Sequence, residues 1–140
     1  MEKYIVSACL VGMNTKYNGG NNKNEKLLEF LKDKEYITVC PEVKGGLSTP
    51  RSPSEIVDNK VINKEGIDVS KEFYEGSNKE LERVKEFNAT IAIMKSKSPS
   101  CGKDYIYDGT FSGNIIEGNG IFIRELKKLG IKILTELDFN

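Results

Sequence analysis

Tyr36 to Arg51 reads YITVCPEVKGGLSTPR, and this stretch organises the rest of the chain. Its apolar start, residues 36–39, predicts a buried strand. The residues beyond the strand include Cys40, Glu42, a Gly-Gly pair and an arginine next to proline, and few of them help a core to pack. Proline stops a strand, glycine permits backbone geometries closed to other residues, and such loops present side chains to ligands. We therefore expect a functional loop at the carboxyl end of a buried strand.

Length and composition predict one compact globular domain that spans residues 1–140. The chain is 38% hydrophobic, and its 21 basic residues balance 21 acidic ones. This neutrality gives no electrostatic footprint for nucleic acid or for an anionic membrane. No apolar run approaches the ~20 residues of a membrane span, and the N-terminus shows no signal peptide, so we expect a cytoplasmic protein.

Alternating strand and helix patterns predict an α/β fold, with a mainly parallel Rossmann-like sheet, helices packed on it and a small β-hairpin insertion. The predicted strands cover residues 4–10, 36–40, 89–94 and 131–134. The predicted helices cover residues 25–32, capped by Asn24, residues 70–87, capped by Ser70 and weakened by Gly76, and residues 121–129. Residues 60–62 and 67–69 predict the hairpin, residues 54–57 a turn or short strand, and residues 95–120 a long loop.

The three cysteines, Cys9, Cys40 and Cys101, each lie at or just beyond the predicted carboxyl end of a strand. Ligands of open α/β sheets bind outside these ends, so we expect the three thiols to meet at one edge of the sheet. The alternative for a lone cysteine such as Cys9 is a small buried hydrophobe. The odd number of cysteines argues against a disulfide framework, and the absence of histidine excludes a Cys–His nucleophile pair and mixed Cys/His zinc sites.

Three thiolates without histidine favour zinc, copper(I) or an iron–sulfur cluster. Structural zinc normally takes a fourth protein ligand, for which Glu42 is the candidate. Beside an open metal, Glu42 would instead act as a general acid or base. Arg51 is either a ligand contact or one half of an ion pair that stabilises its loop, with Glu55 as a candidate partner. Gly45 and Gly46 form an anion-binding nest, allow a close approach of backbone to a cluster, or simply make a turn.

Three segments of the sequence resemble, in order, the signatures of one known family. They are SACLVG at residues 7–12 with KYNG at 16–19, CPE at 40–42 with GGL at 45–47 and PRSPSE at 50–55, and KSKSPSCG at 95–102 with YDGTFSG at 107–113. The family includes the thiouracil desulfidases and was long known only as a domain of unknown function. The resemblance extends over nearly the whole chain.

The resemblance implies a 4Fe–4S cluster held by Cys9, Cys40 and Cys101, with a fourth iron free to take the sulfur of a thiolated nucleobase such as 2- or 4-thiouracil. Water would replace that sulfur without net oxidation or reduction, and the sulfur would leave as sulfide. The resemblance therefore implies a desulfidase whose partner is a small-molecule thiolated base.

The same resemblance assigns roles to side chains. Glu42 is the candidate for proton transfer, with Ser98 and Ser100 positioning the base or the water. The candidates for substrate contact are Arg51, Gly45 and Gly46. The chain departs from the family pattern in having Lys16 and Asn18 where an arginine and an aspartate are expected, which puts substrate preference in question.

Other functions fit the same residues. One alternative is a non-catalytic protein that binds a metal or cluster, and another is a protein that passes sulfide to a second enzyme. A zinc fold with three structural thiolates is a third. The sequence leaves open which thiolated base is used, whether it is free or part of a nucleoside, and the oligomeric state.

Overall fold

A computed structural model of the chain, which describes residues 2–139, has helices packed around a parallel sheet. The described residues form the strands β1 (Lys3–Ser7), β2 (Glu35–Val39), β3 (Ser54–Val57), β4 (Lys60–Asn63), β5 (Ile91–Met94), β6 (Tyr105–Tyr107), β7 (Ile115–Glu117) and β8 (Lys132–Thr135). They also form the helices α1 (Glu25–Leu31), α2 (Pro41–Lys44), α3 (Ser70–Phe87) and α4 (Ile121–Lys128), with short 3₁₀ helices at Ala8–Val11 and Glu136–Phe139.

The main sheet has the strand order β2-β1-β5-β8, and each neighbouring pair is parallel. The prediction of a single α/β domain with a mainly parallel sheet is therefore confirmed. The chain leaves β1 toward β2 on one side and later returns to β5 on the other side. Such a reversal opens a crevice at the carboxyl ends of the strands. Within residues 2–139, no helix has the length and apolar character needed to cross a bilayer.

Side-chain alternation along β1 places apolar residues on both faces of the sheet, as expected of a buried parallel strand. Tyr4 and Val6 pack with Leu27 of α1 on one face. Ile5, between them, packs on the opposite face with residues of α3 and α4, such as Val84 and Leu126. Helices thus cover both faces of the sheet, and the carboxyl edge of the sheet is the part that remains available for a ligand site.

Of the two predicted helix caps, Asn24 is confirmed and Ser70 is wrong. The side chain of Asn24 accepts a hydrogen bond from the Leu27 N–H at 2.9 Å, as the cap prediction requires. Ser70 does not cap α3, because its Oγ accepts the Val61 N–H at 2.8 Å and so joins the helix to β4. The first strand is also shorter than predicted. It ends at Ser7, and the next four residues turn into a 3₁₀ helix that contains Cys9.

The hairpin lies one strand earlier than predicted. Residues 54–57 form β3, which pairs antiparallel with β4 through a turn at Asp58 and Asn59. Both turn residues have positive φ, 49° and 67°, as a tight hairpin turn needs. Residues 67–69 remain attached to β4 only by an isolated bridge between Ile62 and Asp68. The long loop after β5 contains a second hairpin, β6–β7, which the sequence did not predict.

Gly76 has a packing role that its expected helix-weakening effect did not suggest. A Cβ at Gly76 would lie 1.7 Å from the Pro41 carbonyl oxygen, and a Cβ at Gly45 would lie 1.9 Å from the Glu72 carbonyl oxygen. The helices α2 and α3 therefore meet backbone to backbone. The residues that begin α2 follow Cys40, so this contact fixes the start of the functional loop.

Candidate active site

A cavity of about 510 Å³ opens at the carboxyl edge of the sheet. Its volume lies within the roughly 300–1,000 Å³ of small-molecule sites. Cys9, Cys40 and Cys101 all line it, together with Glu42 and Arg51. The three thiols, which the strand ends predict to meet at one edge of the sheet, thus lie in the wall of one cavity.

Each cysteine is held by its own local structure. Cys9 accepts a hydrogen bond from the Asn22 side chain at its Sγ (3.4 Å), and its carbonyl accepts the Asn22 N–H (2.9 Å). Cys40 directly follows β2 and begins α2. The Cys101 N–H donates to Ser98 Oγ at 3.0 Å. Three separate loops thus fix the three backbones.

Burial keeps the thiols protonated. Desolvation raises the pKa of Cys9 and of Cys40 above the ordinary value and raises the pKa of Cys101 to about 12. A thiol is a poor nucleophile in that state, and thiolate forms when a metal displaces the proton. Burial therefore disfavours direct attack of the three thiols on a substrate.

The arrangement of the thiols bears on the kind of metal site that they suit. Among residues 2–139, no three cysteine or carboxylate side chains converge closely enough to hold one metal ion. In an iron–sulfur cluster each thiolate binds a different iron atom. Three thiols in one cavity wall, with no histidine in the chain, fit an iron–sulfur cluster.

Glu42 is the best-connected carboxylate of the cavity. Its Oε1 accepts from Arg51 Nε at 3.1 Å and lies 3.1 Å from Arg51 Nη2, and its Oε2 accepts from Ser100 Oγ at 2.9 Å. Only 8% of the Arg51 side chain and 15% of the Glu42 side chain are exposed. Arg51 therefore does form an ion pair within its loop, as one alternative expected, but its partner is Glu42 and not Glu55. The pairing orients the Glu42 carboxylate toward the serines.

Ser98 and Ser100 form a short hydrogen-bonded chain to that carboxylate. The two hydroxyl oxygens lie 3.0 Å apart, and Ser98 Oγ also accepts the N–H groups of Ser100 and Cys101. Since Ser100 has one hydroxyl proton and Glu42 is its charged acceptor, the Ser98 hydroxyl is the donor to Ser100. The chain thus runs from Ser98 through Ser100 to Glu42.

The other predicted contact residues divide into two groups. Lys16 lies in the cavity wall, whereas the Asn18 side chain turns back to accept the Gly20 N–H at 2.9 Å. Gly45 and Gly46 do not form part of the wall. They end α2, where Gly45 lies against α3 and Gly46 has a φ of 93°. Their positions are explained by the turn rather than by a ligand.

The cavity wall carries more positive charge than the sequence suggested. Besides Arg51, it includes Lys16, Lys64, Lys95 and Lys97. Lys95 Nζ lies 3.3 Å from Glu136 Oε2. Burial opposes ionisation of Glu136, but hydrogen bonds from Ser96 and the charge of Lys95 hold its pKa below the ordinary value. A cationic wall of this kind would balance the negative charge of thiolates that bind a metal.

The sequence did not single out Glu80, a residue of α3 that binds the backbone N–H of Cys40. Glu80 is 1% exposed, its Oε2 accepts the Cys40 N–H at 2.6 Å, and its Oε1 pairs with Arg83 at 2.8 Å. Arg83 also donates to the Thr38 carbonyl at 2.9 Å, so the pair ties α3 to the end of β2. Helical spacing from Phe73 and Leu81 would have put Glu80 on the buried face of α3.

Glu80→Gln is expected to lower the free energy of unfolding by about 1–3 kcal/mol, because a charged hydrogen bond and a half-buried ion pair are weakened. Urea unfolding of the cluster-free protein measures the change. Glu82→Gln, an exposed change on the same helix, is the matched control and should shift stability by less than about 0.5 kcal/mol. Equal stabilities for the two variants would contradict the role given to Glu80.

Comparisons with known proteins agree with this site. A family model described as 2-thiouracil desulfurase matches residues 4–138. The chain is 39% identical to the uncharacterized protein YbbK of Bacillus subtilis (strain 168), over 97% of both chains. It is also similar to the solved structure of a [4Fe-4S]-dependent thiouracil desulfidase, TudS, with a TM-score of 0.92 and 36% identity, covering 99% of this chain and 93% of that one.

The match to the family model and the similarity to TudS extend over nearly the whole chain, including all three cysteine segments. The resemblance inferred from the sequence motifs is confirmed, as is the assignment of the chain as an enzyme. This protein belongs to the 2-thiouracil desulfurase family.

Proposed function

We propose that the protein removes the sulfur of a thiolated uracil-like base by hydrolysis and releases it as sulfide, using a 4Fe–4S cluster held by Cys9, Cys40 and Cys101. The observation that carries the proposal is the presence of all three thiols and the Glu42 carboxylate in the wall of one cavity. Membership of the family supports the choice of substrate class, and the dependence of TudS on [4Fe-4S] supports the choice of cofactor.

When bound, a cluster with three protein ligands supplies an iron with an open coordination position that acts as a Lewis acid on sulfur. The chain's own contribution begins with enclosing the base in the cavity. Arg51 then holds the Glu42 carboxylate in one orientation through its Nε and Nη2 groups. This preorganisation fixes where a proton can be accepted.

Glu42 is the proposed proton carrier. It takes a proton from the water molecule whose oxygen forms a bond to the carbon that bears sulfur. When the carbon–sulfur bond breaks, the same carboxyl returns that proton to the departing sulfur. The second proton, still on the newly bound oxygen, then passes through Glu42 to the sulfur as the carbonyl forms. One water enters and one hydrogen sulfide leaves, so no oxidant or reductant is needed. Ser98 and Ser100 hold the carboxyl in place and pass protons along their hydroxyl chain.

The carboxylate network favours catalysis over passive binding. A protein that only sensed a metal or passed on sulfide would need the thiols but not a partly buried Glu42–Arg51 pair aligned with two serines. Burying such a pair costs desolvation energy. Its retention beside the thiols is what a proton-transfer step requires. The proposed partner is a small-molecule thiolated base, and the proposed compartment is the cytoplasm.

Anaerobic purification is expected to give a brown protein with about four iron atoms per chain. That protein should convert 2- or 4-thiouracil to uracil and sulfide in equal amounts without an electron donor. Iron and sulfide determination with chromatographic assay of uracil measures both. A protein that takes up zinc alone, or one that holds iron but forms no uracil from either base, would overturn the proposal.

A further inference from the structure

We propose that Phe111 and Glu55 together recognise the ring of the base, with Phe111 stacking on its plane and Glu55 accepting a hydrogen bond from a ring N–H. The inference rests on the proposed function, because it concerns the substrate of the same cavity. Both residues line that cavity. They come from the second and third sequence motifs but hold none of the thiols.

Phe111 is an aromatic residue that the core does not use. It lies in the segment between β6 and β7, is only partly buried, and lines the cavity. Its φ of 56° is unusual for a residue with a bulky side chain, so the surroundings must hold this backbone in place. Conformations of this kind cluster at ligand sites. The ring is thus held at the cavity rather than packed for stability.

Glu55 fixes the backbone that carries Phe111. Its Oε1 accepts the N–H groups of Gly109 and Phe111, at 2.9 and 3.1 Å. Gly109 itself lies so close to β3 that a Cβ there would be 2.9 Å from the Ile56 carbonyl oxygen. The segment that carries Phe111 is therefore pinned to β3 at two points.

The second oxygen of Glu55 is left for a ligand. Glu55 is 8% exposed, and within residues 2–139 it pairs with no cation and its Oε2 has no hydrogen-bond donor. Uracil-like bases have a flat ring with a π-face and N–H donors at the ring edge. A phenyl ring and a carboxylate oxygen match those two features.

The test compares Phe111→Leu and Glu55→Gln with the wild-type holoenzyme under anaerobic conditions. Phe111→Leu keeps an apolar side chain but removes the π-face. It is expected to weaken uracil binding, measured by calorimetry, and to raise KM for thiouracil, each about tenfold. The turnover number should change less than about threefold, and iron per chain should not change, because Phe111 has no part in the proton steps.

Glu55→Gln keeps an acceptor for the two backbone N–H groups but places an amide where Oε2 was. Wild type is expected to reject either 1-methyl- or 3-methyl-2-thiouracil, whichever lacks the N–H that Glu55 binds, by at least about tenfold in kcat/KM. The variant should lose most of that discrimination. Retention of the full discrimination by Glu55→Gln would overturn the role of Glu55.

Tyr105→Leu is the matched control, because it removes an exposed ring on β6 that does not line the cavity. It should leave uracil affinity and KM unchanged. Equal affinities in Phe111→Leu and Tyr105→Leu would overturn the role of Phe111. If wild type binds uracil but releases no sulfide from thiouracil, the proposed function fails instead, so the two failures are distinguishable.

Discussion

Cys101→Ala is expected to abolish iron binding and desulfuration while the fold persists. Cys101 is 5% exposed and packs in the same core cluster as Met94 and Phe122. Its substitution therefore distinguishes two roles for this residue, a buried hydrophobic side chain and a metal ligand. Loss of one buried sulfur atom costs only about 1 kcal/mol of stability. Loss of a ligand has a larger effect, because the chain has three cysteines and none to spare. After anaerobic reconstitution, iron per chain should fall from about four to below about one.

Met94→Leu is the control for Cys101→Ala, since it also removes a buried sulfur from that cluster while nearly conserving volume. It should keep its iron and its activity. Circular dichroism checks that both variants are folded. Full iron content in Cys101→Ala would show that the residue is core packing and would remove one ligand from the proposed site. Cys9→Ala and Cys40→Ala are expected to behave like Cys101→Ala.

Glu42→Gln is expected to lower the rate of sulfide release by about 100- to 10,000-fold, the range that proton-transfer groups contribute. Glutamine is nearly isosteric, and its oxygen still accepts from Arg51. Its amide nitrogen cannot accept the Ser100 hydroxyl proton or carry a proton between water and sulfur. Iron content and absorption spectrum should stay those of wild type, because Glu42 is not a proposed ligand. Single-turnover sulfide release from thiouracil measures the effect.

Glu75→Gln, an exposed change on α3 whose carboxylate lies 4.0 Å from Lys71 Nζ, is the control for Glu42→Gln. Its rate should stay within about twofold of wild type, as expected of an exposed surface pair. A Glu42→Gln protein that turns over like the Glu75→Gln protein would exclude Glu42 as the proton carrier. A variant that lost iron as well would instead make Glu42 a ligand.

The sequence was most informative where burial and alternation act together. The apolar runs after Tyr4, Tyr36, Thr90 and Gly130 predicted all four parallel strands, and the ends of the first three brought the cysteines to one edge. Neighbouring parallel strands have their carboxyl ends at the same edge of the sheet, irrespective of the loops that follow. The location of the thiols at that edge could therefore be predicted from the strands alone, which apolar runs in the sequence identify.

Other elements escaped prediction because no burial pattern marks them. All residues of β7 are exposed, so its pairing with β6 leaves no alternation to read. The short helix α2 was predicted as part of a loop, although proline at its first position is also a helix start. Helical spacing places Glu80 on the buried face of α3, but its partner there, the Cys40 N–H, is identified only in the folded structure.

The glycine contact between α2 and α3 bears on how the protein would acquire the proposed cluster. Because Pro41 and Gly45 rest on the backbone of α3, the turn that carries Cys40 and Glu42 takes its shape when the polypeptide folds. Its conformational entropy has then already been lost before iron and sulfide arrive. The folded chain therefore already holds Cys40 and Glu42 in position for the proposed cluster. We therefore expect that protein which has lost the proposed cluster on exposure to oxygen can be reconstituted with iron and sulfide without first being unfolded.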